Sequence, residues 1–461
     1  MQYTRKLGAY AAGLNYEDLP PEVVEQAKKI TLHVIAVAIA SMEVPTSLRA
    51  VEMVRQKGGT PEATIWGSDG LKVPVEEAGF ANGTTADTLD WEDCTWTGRA
   101  SAGAIPATFA LGEKLEASGK DYLTAVVAAY EVYQRIAMSV QPDLSNYFGK
   151  GKGWGLVCWQ IFASTVAAAK LLGLDGNGIA AAITKGAYLT PLTLGDTGLT
   201  DTYHVAHGVS ARCGINSALL TAANFEPYLD GLDGNSGFWR QICDQVDWTW
   251  LDRDLGSDWL IMQTLLKHWP VNVWIEAPLD GLDTLRRRHG FEAADIEKIR
   301  VSPQLDIYTD KGMTRPYVFM QAQYSVPHCF AAYLLDPNPS EDWFTQQSRE
   351  PVGPVAELSK RVEFFGPEMD RYEAFLIFMD RDFPETTVEV VLKDGRTLRE
   401  TLKYPKGHPK NNFTFQEERE HFLHCAAPVI GEEKAKAFVD AVERLEDCAH
   451  LGQLAGLLVK G

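Results

Sequence analysis

Two stretches, "DYLTAVVAAYEVYQRIAMSV" (121–140) and "QIFASTVAAAKLLGLDG" (160–176), carry alanine and other apolar residues nearly all the way round a helix. Such a helix has no polar face to give to water, so other helices must surround it. This points to a helical bundle with helices buried on several sides. More stretches fit the same scheme. "PPEVVEQAKKITLHVIAVAIA" opens on Pro20 and Pro21, suited to a first helical turn, and spaces Val23, Val24, Ala27, Ile30 and Ile35 helically. "IPATFALGEKLEASGK" (105–120), "GNGIAAAITKGAYLTPLT" and "SARCGINSALLTAANF" (210–225) read as further helices, with Gly119 and Gly173 at expected helix ends.

The pattern changes after Pro270. "EKIRVSPQLDIYTD" has a strand-like core, and "QYSVPHCFAAYLLD" is helical after Pro327. In "TVEVVLKDGRTLRETLKYP", Val388, Val390 and Leu392 alternate, and Asp394-Gly395 is expected as a two-residue turn into a second strand. "FQEEREHFLHCAAPVI" and "GEEKAKAFVDAVERLEDC" return to helices. The expected fold is mostly α. Residues 1–268 and 405–461 form an all-α helical domain from both chain ends, and 269–404 form a smaller, inserted α+β lid domain.

Charge and cysteines narrow the function. The 461 residues carry 43 Lys and Arg against 62 Asp and Glu, a net charge of −19, which disfavours nucleic acid and anionic membranes as partners. The seven cysteines are scattered and include no C-x-x-C pair, so close-spaced zinc and iron–sulfur motifs have no support, and a reducing compartment is expected. The N-terminus reaches acidic residues and a double proline before any long apolar run, unlike a signal peptide, and stretches such as "VIAVAIASM" are too short to span a bilayer. We expect a cytoplasmic protein with no membrane partner.

Five places offer chemistry where a helical body meets a lid, the kind of junction where small-molecule pockets form. "DWEDCTWTGR" (90–99) packs carboxylates, a thiol, two indoles and an arginine between two helices. Surface charge is the ordinary reading of such a loop, but Trp91 and Trp96 favour packing into a cleft. In "TDTYHVAHGVSARCG", His204 and His207 stand three apart and share a helical face, as acid/base candidates or as satisfied structural histidines. In "LLKHWPVN", Lys267 is a snorkelling side chain or a partner for a substrate carboxylate. In "QAQYSVPHC", His328 begins a helix, where the dipole favours the neutral ring a base needs; a packing role is its alternative. "YPKGHPKNNFT" reads as a rigid re-entry into the bundle.

These motifs, in this order, resemble the MmgE/PrpD family, which includes 2-methylcitrate dehydratase, cis-aconitate decarboxylase and iminodisuccinate epimerase. The resemblance spans the chain through "NGTTADTLDWEDCTWTGRASAGAIPATFALGE", "AAAKLLGLD", "GVSARCGINSALLTAANF", "LLKHWP", "QAQYSVP" and "YPKGHPKN". It implies a helical domain with an α+β lid, a homodimer, and cofactor-free acid/base chemistry on small di- or tricarboxylates at the junction, with no metal. By the same resemblance Asp90, Asp93 and Lys267 match the family's functional positions. Elsewhere the chain departs from the pattern. Arg99-Ala100 stands nearest a histidine-proline pair, Trp154 or Gly155 replaces a histidine, Tyr203 a lysine, Ala206 a histidine and His328 a tyrosine.

The expectation is therefore an active lyase, a dehydratase or decarboxylase, with a shifted substrate. An isomerase or epimerase of the same fold, or a non-catalytic carboxylate-binding relative, are the alternatives. Arg99 and Lys267 would hold carboxylates and stabilise the charge formed as a C–H proton leaves. His328, His204 or His207 would be the base, with Tyr203 or Asp90 completing the relay. Asp93, Cys94, Trp154 and Gln323 are expected to line the substrate.

Overall fold

The computed structural model describes residues 2–95, 98–143, 159–190, 200–309 and 318–461, so the expectation for Trp154 falls outside the described residues. The fold is mostly α. The helix Pro21–Ala40 starts on a proline at its first position and is buried on nearly every face. Phe415–Ile430, from the other end of the chain, packs along it. Around them stand Val75–Thr88, Ser101–Lys114, Gly119–Ser139, Gln160–Leu171, Gly176–Leu189 and Asp201–Ala222. No single helix among the described residues is long and apolar enough to cross a membrane.

One helix pair sets the geometry of everything that follows. Val75–Thr88 and Asp201–Ala222 approach so closely that a Cβ on Gly208 would lie 2.2 Å from Thr84 Oγ1 and 2.3 Å from the Phe80 carbonyl oxygen. On the other side, a Cβ on Gly83 would meet the Gly208 Cα at 3.1 Å. Asp87 follows Gly83 by one turn, and His204 precedes Gly208 by one turn. The glycines thus let two antiparallel backbones close until those side chains meet.

The 296–402 segment supplies a four-stranded sheet in the order Thr397–Leu402, Thr386–Leu392, Ile296–Ser302, Val362–Phe364. The first three strands pair antiparallel and the last is parallel to its neighbour. Helix Val273–His289 lies on this sheet, with Gly281 against Val388. Val388, Val390 and Leu392 are buried, as their alternation predicts.

Two local expectations are corrected. The hairpin loop has three residues, Lys393–Asp394–Gly395, closed by Leu392 N–H to the Arg396 carbonyl at 2.8 Å. Gly395, at φ +91°, supplies the left-handed residue that a three-residue hairpin needs, so Lys393 cannot remain in the strand. Gly119 does not end a helix either. Ser118 caps the next helix through a capping box with Asp121, and Gly119 is that helix's first residue. A Cβ there would fall 1.6 Å from the Leu445 carbonyl oxygen, so close packing against the C-terminal segment requires glycine. Gly173, at φ +67°, does follow the helix Gln160–Leu171.

Candidate active site

The loop after Val75–Thr88 turns sharply at Asp90, which takes φ +49°, a left-handed conformation that costs a non-glycine residue about 1–3 kcal/mol. Its N–H donates to the Asp87 carbonyl at 2.8 Å. Three residues later, Asp93–Cys94 pairs antiparallel with Leu265–Leu266. Lys267 continues that second strand, and its N–H donates to the Glu92 carbonyl at 3.1 Å. Gly407, at φ +85°, secures the strand from the far side by accepting from Leu266 N–H at 3.1 Å. The stretch read as a rigid re-entry therefore braces the backbone that presents Lys267.

These backbones bring one buried ionic cluster together. The Arg99 guanidinium places Nη1 2.7 Å from Asp87 Oδ1 and Nε 2.9 Å from Glu92 Oε1, with Nη2 against Asp90 Oδ1. Lys267 Nζ donates to Asp90 twice, at 2.5 Å to Oδ1 and 2.7 Å to the backbone carbonyl. His204 Nδ1 lies 2.6 Å from Asp87 Oδ2, and His207 Nε2 lies 3.1 Å from Asp87 Oδ1. The Arg99 guanidinium sits over the Tyr203 ring at 5.4 Å. Arg99 is 7% exposed, and Asp87, Asp90, Glu92 and Lys267 are fully buried. Tyr203 and Tyr324 are only partly buried, so they mark the accessible side of the cluster.

The electrostatics assign protons. Burial opposes ionisation of Asp87, but His207, Arg99 and the His204 hydrogen bond outweigh it and hold the carboxyl well below its usual range. Burial drives Glu92 the other way, well above the carboxylate range, with Asp87 and Asp90 reinforcing it against Arg99 and Lys267. Glu92 is thus a carboxyl group beside the guanidinium whose charge burial disfavours. Burial also takes His207 down to about 3, leaving its ring neutral. Since Asp87 is ionised and can only accept, His204 Nδ1 carries the hydrogen between them. His204 Nε2 has no hydrogen-bond partner among the described residues. A carboxylate-oriented imidazole with one free nitrogen is the arrangement of a general acid/base.

The remaining candidates lie apart from this cluster. Asp93 accepts from Ser101 Oγ and Tyr130 Oη, both at 2.6 Å. Cys94 Sγ contacts the Thr95 carbonyl at 3.4 Å, and burial pushes its thiol up to about 12, far from a reactive thiolate. Gln323 Nε2 donates to the Thr88 carbonyl at 3.2 Å, bracing the helix end ahead of Asp90. His328 does begin a helix, Val326–Leu335, but its Nε2 donates to the Trp343 carbonyl at 2.7 Å and its ring stacks on Phe344. It lines a separate cavity of about 1080 Å³ with Pro327, Phe319, Arg349 and Val355.

Burial takes His328 down to about 4 from the usual 6.5. Between those values the unfolded chain binds this proton and the folded chain does not, so acidification destabilises the fold. The lost stability should reach about 3 kcal/mol by pH 4. Urea melts of wild type and His328→Gln at pH 7 and pH 4.5 check this: the variant should lose less on acidification. Equal losses would show that His328 does not contribute.

Asp87, Glu92 and Tyr324 were not singled out in the sequence. For Asp87 a signal exists, since it precedes Asp90 by three residues at a helix end, but only the glycine-lined helix contact reveals its histidine partners. Burial raises both Tyr203 and Tyr324, and the two tyrosines interact with each other and with Arg99 and Asp90.

Comparison with known proteins agrees with this architecture. The MmgE/PrpD N-terminal domain matches residues 5–251 and the MmgE/PrpD C-terminal domain matches residues 269–447. Cis-aconitate decarboxylase of Mus musculus is 24% identical, with 99% of this chain and 93% of that protein covered. The Aspergillus terreus cis-aconitate decarboxylase is 25% identical over 99% of this chain and 96% of its own length, and the Homo sapiens protein 23% over 97% and 92%. With both family domains matched in order over most of its length, this chain belongs to the MmgE/PrpD family.

Proposed function

We propose that this chain is a lyase of small di- or tricarboxylates, that it needs no cofactor, and that the His204–Asp87 pair moves the proton. The reading rests on one observation above the others: the 2.6 Å contact that orients His204 on Asp87, itself paired with Arg99, while leaving Nε2 without a partner among the described residues. The division into a helical body (1–268 and 405–461) and a lid (269–404) is part of the proposal, with Lys267 at the boundary.

Among the possible outcomes, the names of the similar proteins favour decarboxylation. In that step the C–CO₂⁻ bond breaks, CO₂ departs, and its electron pair enters the adjoining unsaturated carboxylate system. The carbon then takes a proton from His204 Nε2, which solvent restores. Asp87 stabilises the imidazolium that carries this proton, and Arg99 with Lys267 stabilise the carbanionic charge. Burial disfavours the charge on Glu92, so of the carboxyl groups around Arg99 it is the one we take a substrate carboxylate to displace.

Proton NMR in D₂O with cis-aconitate and other unsaturated or hydroxylated di- and tricarboxylates tests the reading. A decarboxylated product with one deuterium at a carbon of that unsaturated system is expected. Deuterium exchange without CO₂ release would replace it with epimerisation. Binding without exchange or product would replace it with a non-catalytic role.

A further inference from the structure

The strained loop that carries Asp90 and Glu92 is held by its backbone carbonyls. Three in succession accept from buried donors outside the loop. The Asp90 carbonyl takes Lys267 Nζ at 2.7 Å, the Trp91 carbonyl takes His33 Nε2 at 2.8 Å, and the Glu92 carbonyl takes Lys267 N–H at 3.1 Å. Two of these holds come from a residue of the cluster itself. The third comes from the middle of Pro21–Ala40, a helix that gives no side chain to the cluster contacts described above.

His33 is itself held on every side. It is fully buried, and its Nδ1 lies 3.1 Å from Glu418 Oε2 on Phe415–Ile430. Its ring stacks on His421 at 4.5 Å, and His421 meets the Trp91 indole edge-on at 4.9 Å. A carbonyl oxygen can only accept, so Nε2 carries a hydrogen whatever the state of Nδ1. Desolvation disfavours the charged ring, yet the Glu418 charge and hydrogen bond outweigh it and raise His33 above its usual value.

We infer that His33 is a positioning residue for the acid/base site: its Nε2–H bond to the Trp91 carbonyl holds Asp90 and Glu92 where they meet Arg99, and Glu418 and His421 hold His33. The C-terminal segment thereby reaches the site through one imidazole and one carbonyl. Asp90 at φ +49° is the kind of residue that persists only where its surroundings over-determine it, and this bond is one of those determinants. Arg99 follows Asp90 and Glu92, and Asp87 follows Arg99, so a loosened loop also loosens the His204–Asp87 pair.

The consequence for turnover rests on the proposed lyase activity; the consequence for geometry does not. Three variants separate the roles. His33→Leu removes the donor. His33→Asn stops short of Trp91 and serves where the leucine variant does not fold. His33→Gln places an amide N–H near the former Nε2. The first readout is the low-field Nδ1 proton of His204 in spectra of ¹⁵N-histidine protein, assigned with His204→Gln. The second is turnover per folded molecule.

His33→Leu or His33→Asn should shift or broaden the His204 signal and lower kcat by roughly 10²-fold, the scale of a site misplaced by about an ångström, while KM changes far less. His33→Gln should recover most of both. A folded donor-less variant with an unchanged His204 signal and kcat overturns the inference. So does a glutamine variant as impaired as the leucine one, because packing alone would then be the cause. If wild type converts none of the carboxylates, the lyase reading fails, and the His204 signal still decides the positioning role.

Discussion

Asp87→Asn is expected to lower turnover about 10²–10⁴-fold with the helical fold intact, the range that one positioned acid/base group contributes. The argument starts from the close helix crossing at Gly83 and Gly208, which leaves Asp87 fully buried with His204 and His207 as neighbours. An asparagine fits the same space and can still accept one hydrogen bond. It supplies no charge, so the imidazolium that gives up the proton loses its buried counter-ion, and the amide can also turn its NH₂ toward Nδ1 and impose the other tautomer. Binding should change less, since Arg99 keeps Asp90 and Glu92. Product NMR gives kcat and KM, with circular dichroism as the check on folding. Turnover within a few-fold of wild type would remove the pair from the mechanism and return the base to His207 or His328.

How much of this could be read in advance follows from the kind of interaction involved. The bundle was legible because helices without a polar face have one destination, and because Pro21 and the alternation of Val388, Val390 and Leu392 act locally. Asp90, Arg99, His204, His207 and Lys267 were each singled out, and the structure gathers them into one cluster, with Tyr203 beneath Arg99. What stayed hidden depends on contacts between distant segments. Asp87 reads as one more polar residue in "NGTTADTLD" until a second helix presses against Gly83. Arg99 reads as a hand open to a substrate carboxylate, because no spacing rule shows that its three N–H directions meet Asp87, Asp90 and Glu92. His328 has the local marks of a base, yet the Trp343 carbonyl takes its Nε2, and Trp343 lies fifteen residues on. The bond from His33 to Trp91 spans 58 residues, and nothing in the helix sequence around His33 points to that loop.

Arg99→Leu is expected to destabilise the fold by about 3–5 kcal/mol at pH 7, the usual cost of removing one partner from a buried ion pair. The variant keeps Lys267 on Asp90 and the histidines on Asp87, but both carboxyl groups lose their shared guanidinium in a buried site. Glu92 should contribute less to the loss, since burial already disfavours its charge. The pH dependence identifies the cause. In wild type, Asp87 is held below its usual range, so its stabilisation is fully present above the unfolded value near 3.9 and fades as pH falls through the lower folded value. Without Arg99 the folded Asp87 carboxyl rises toward or above its unfolded value, and that stabilisation shrinks or reverses sign. The gap between wild type and Arg99→Leu should therefore be wide at pH 7 and narrow only below about pH 4, as read from urea melts at pH 7 and about pH 2.5. Arg99→Lys retains a charge but offers one point in place of a fork, and should recover only part of the loss. A gap of the same size at both pH values would assign the effect to lost packing. An Arg99→Leu protein as stable as wild type would mean that the cluster gains nothing from its own ion pairs, so that its three carboxyls and guanidinium are kept for the substrate alone.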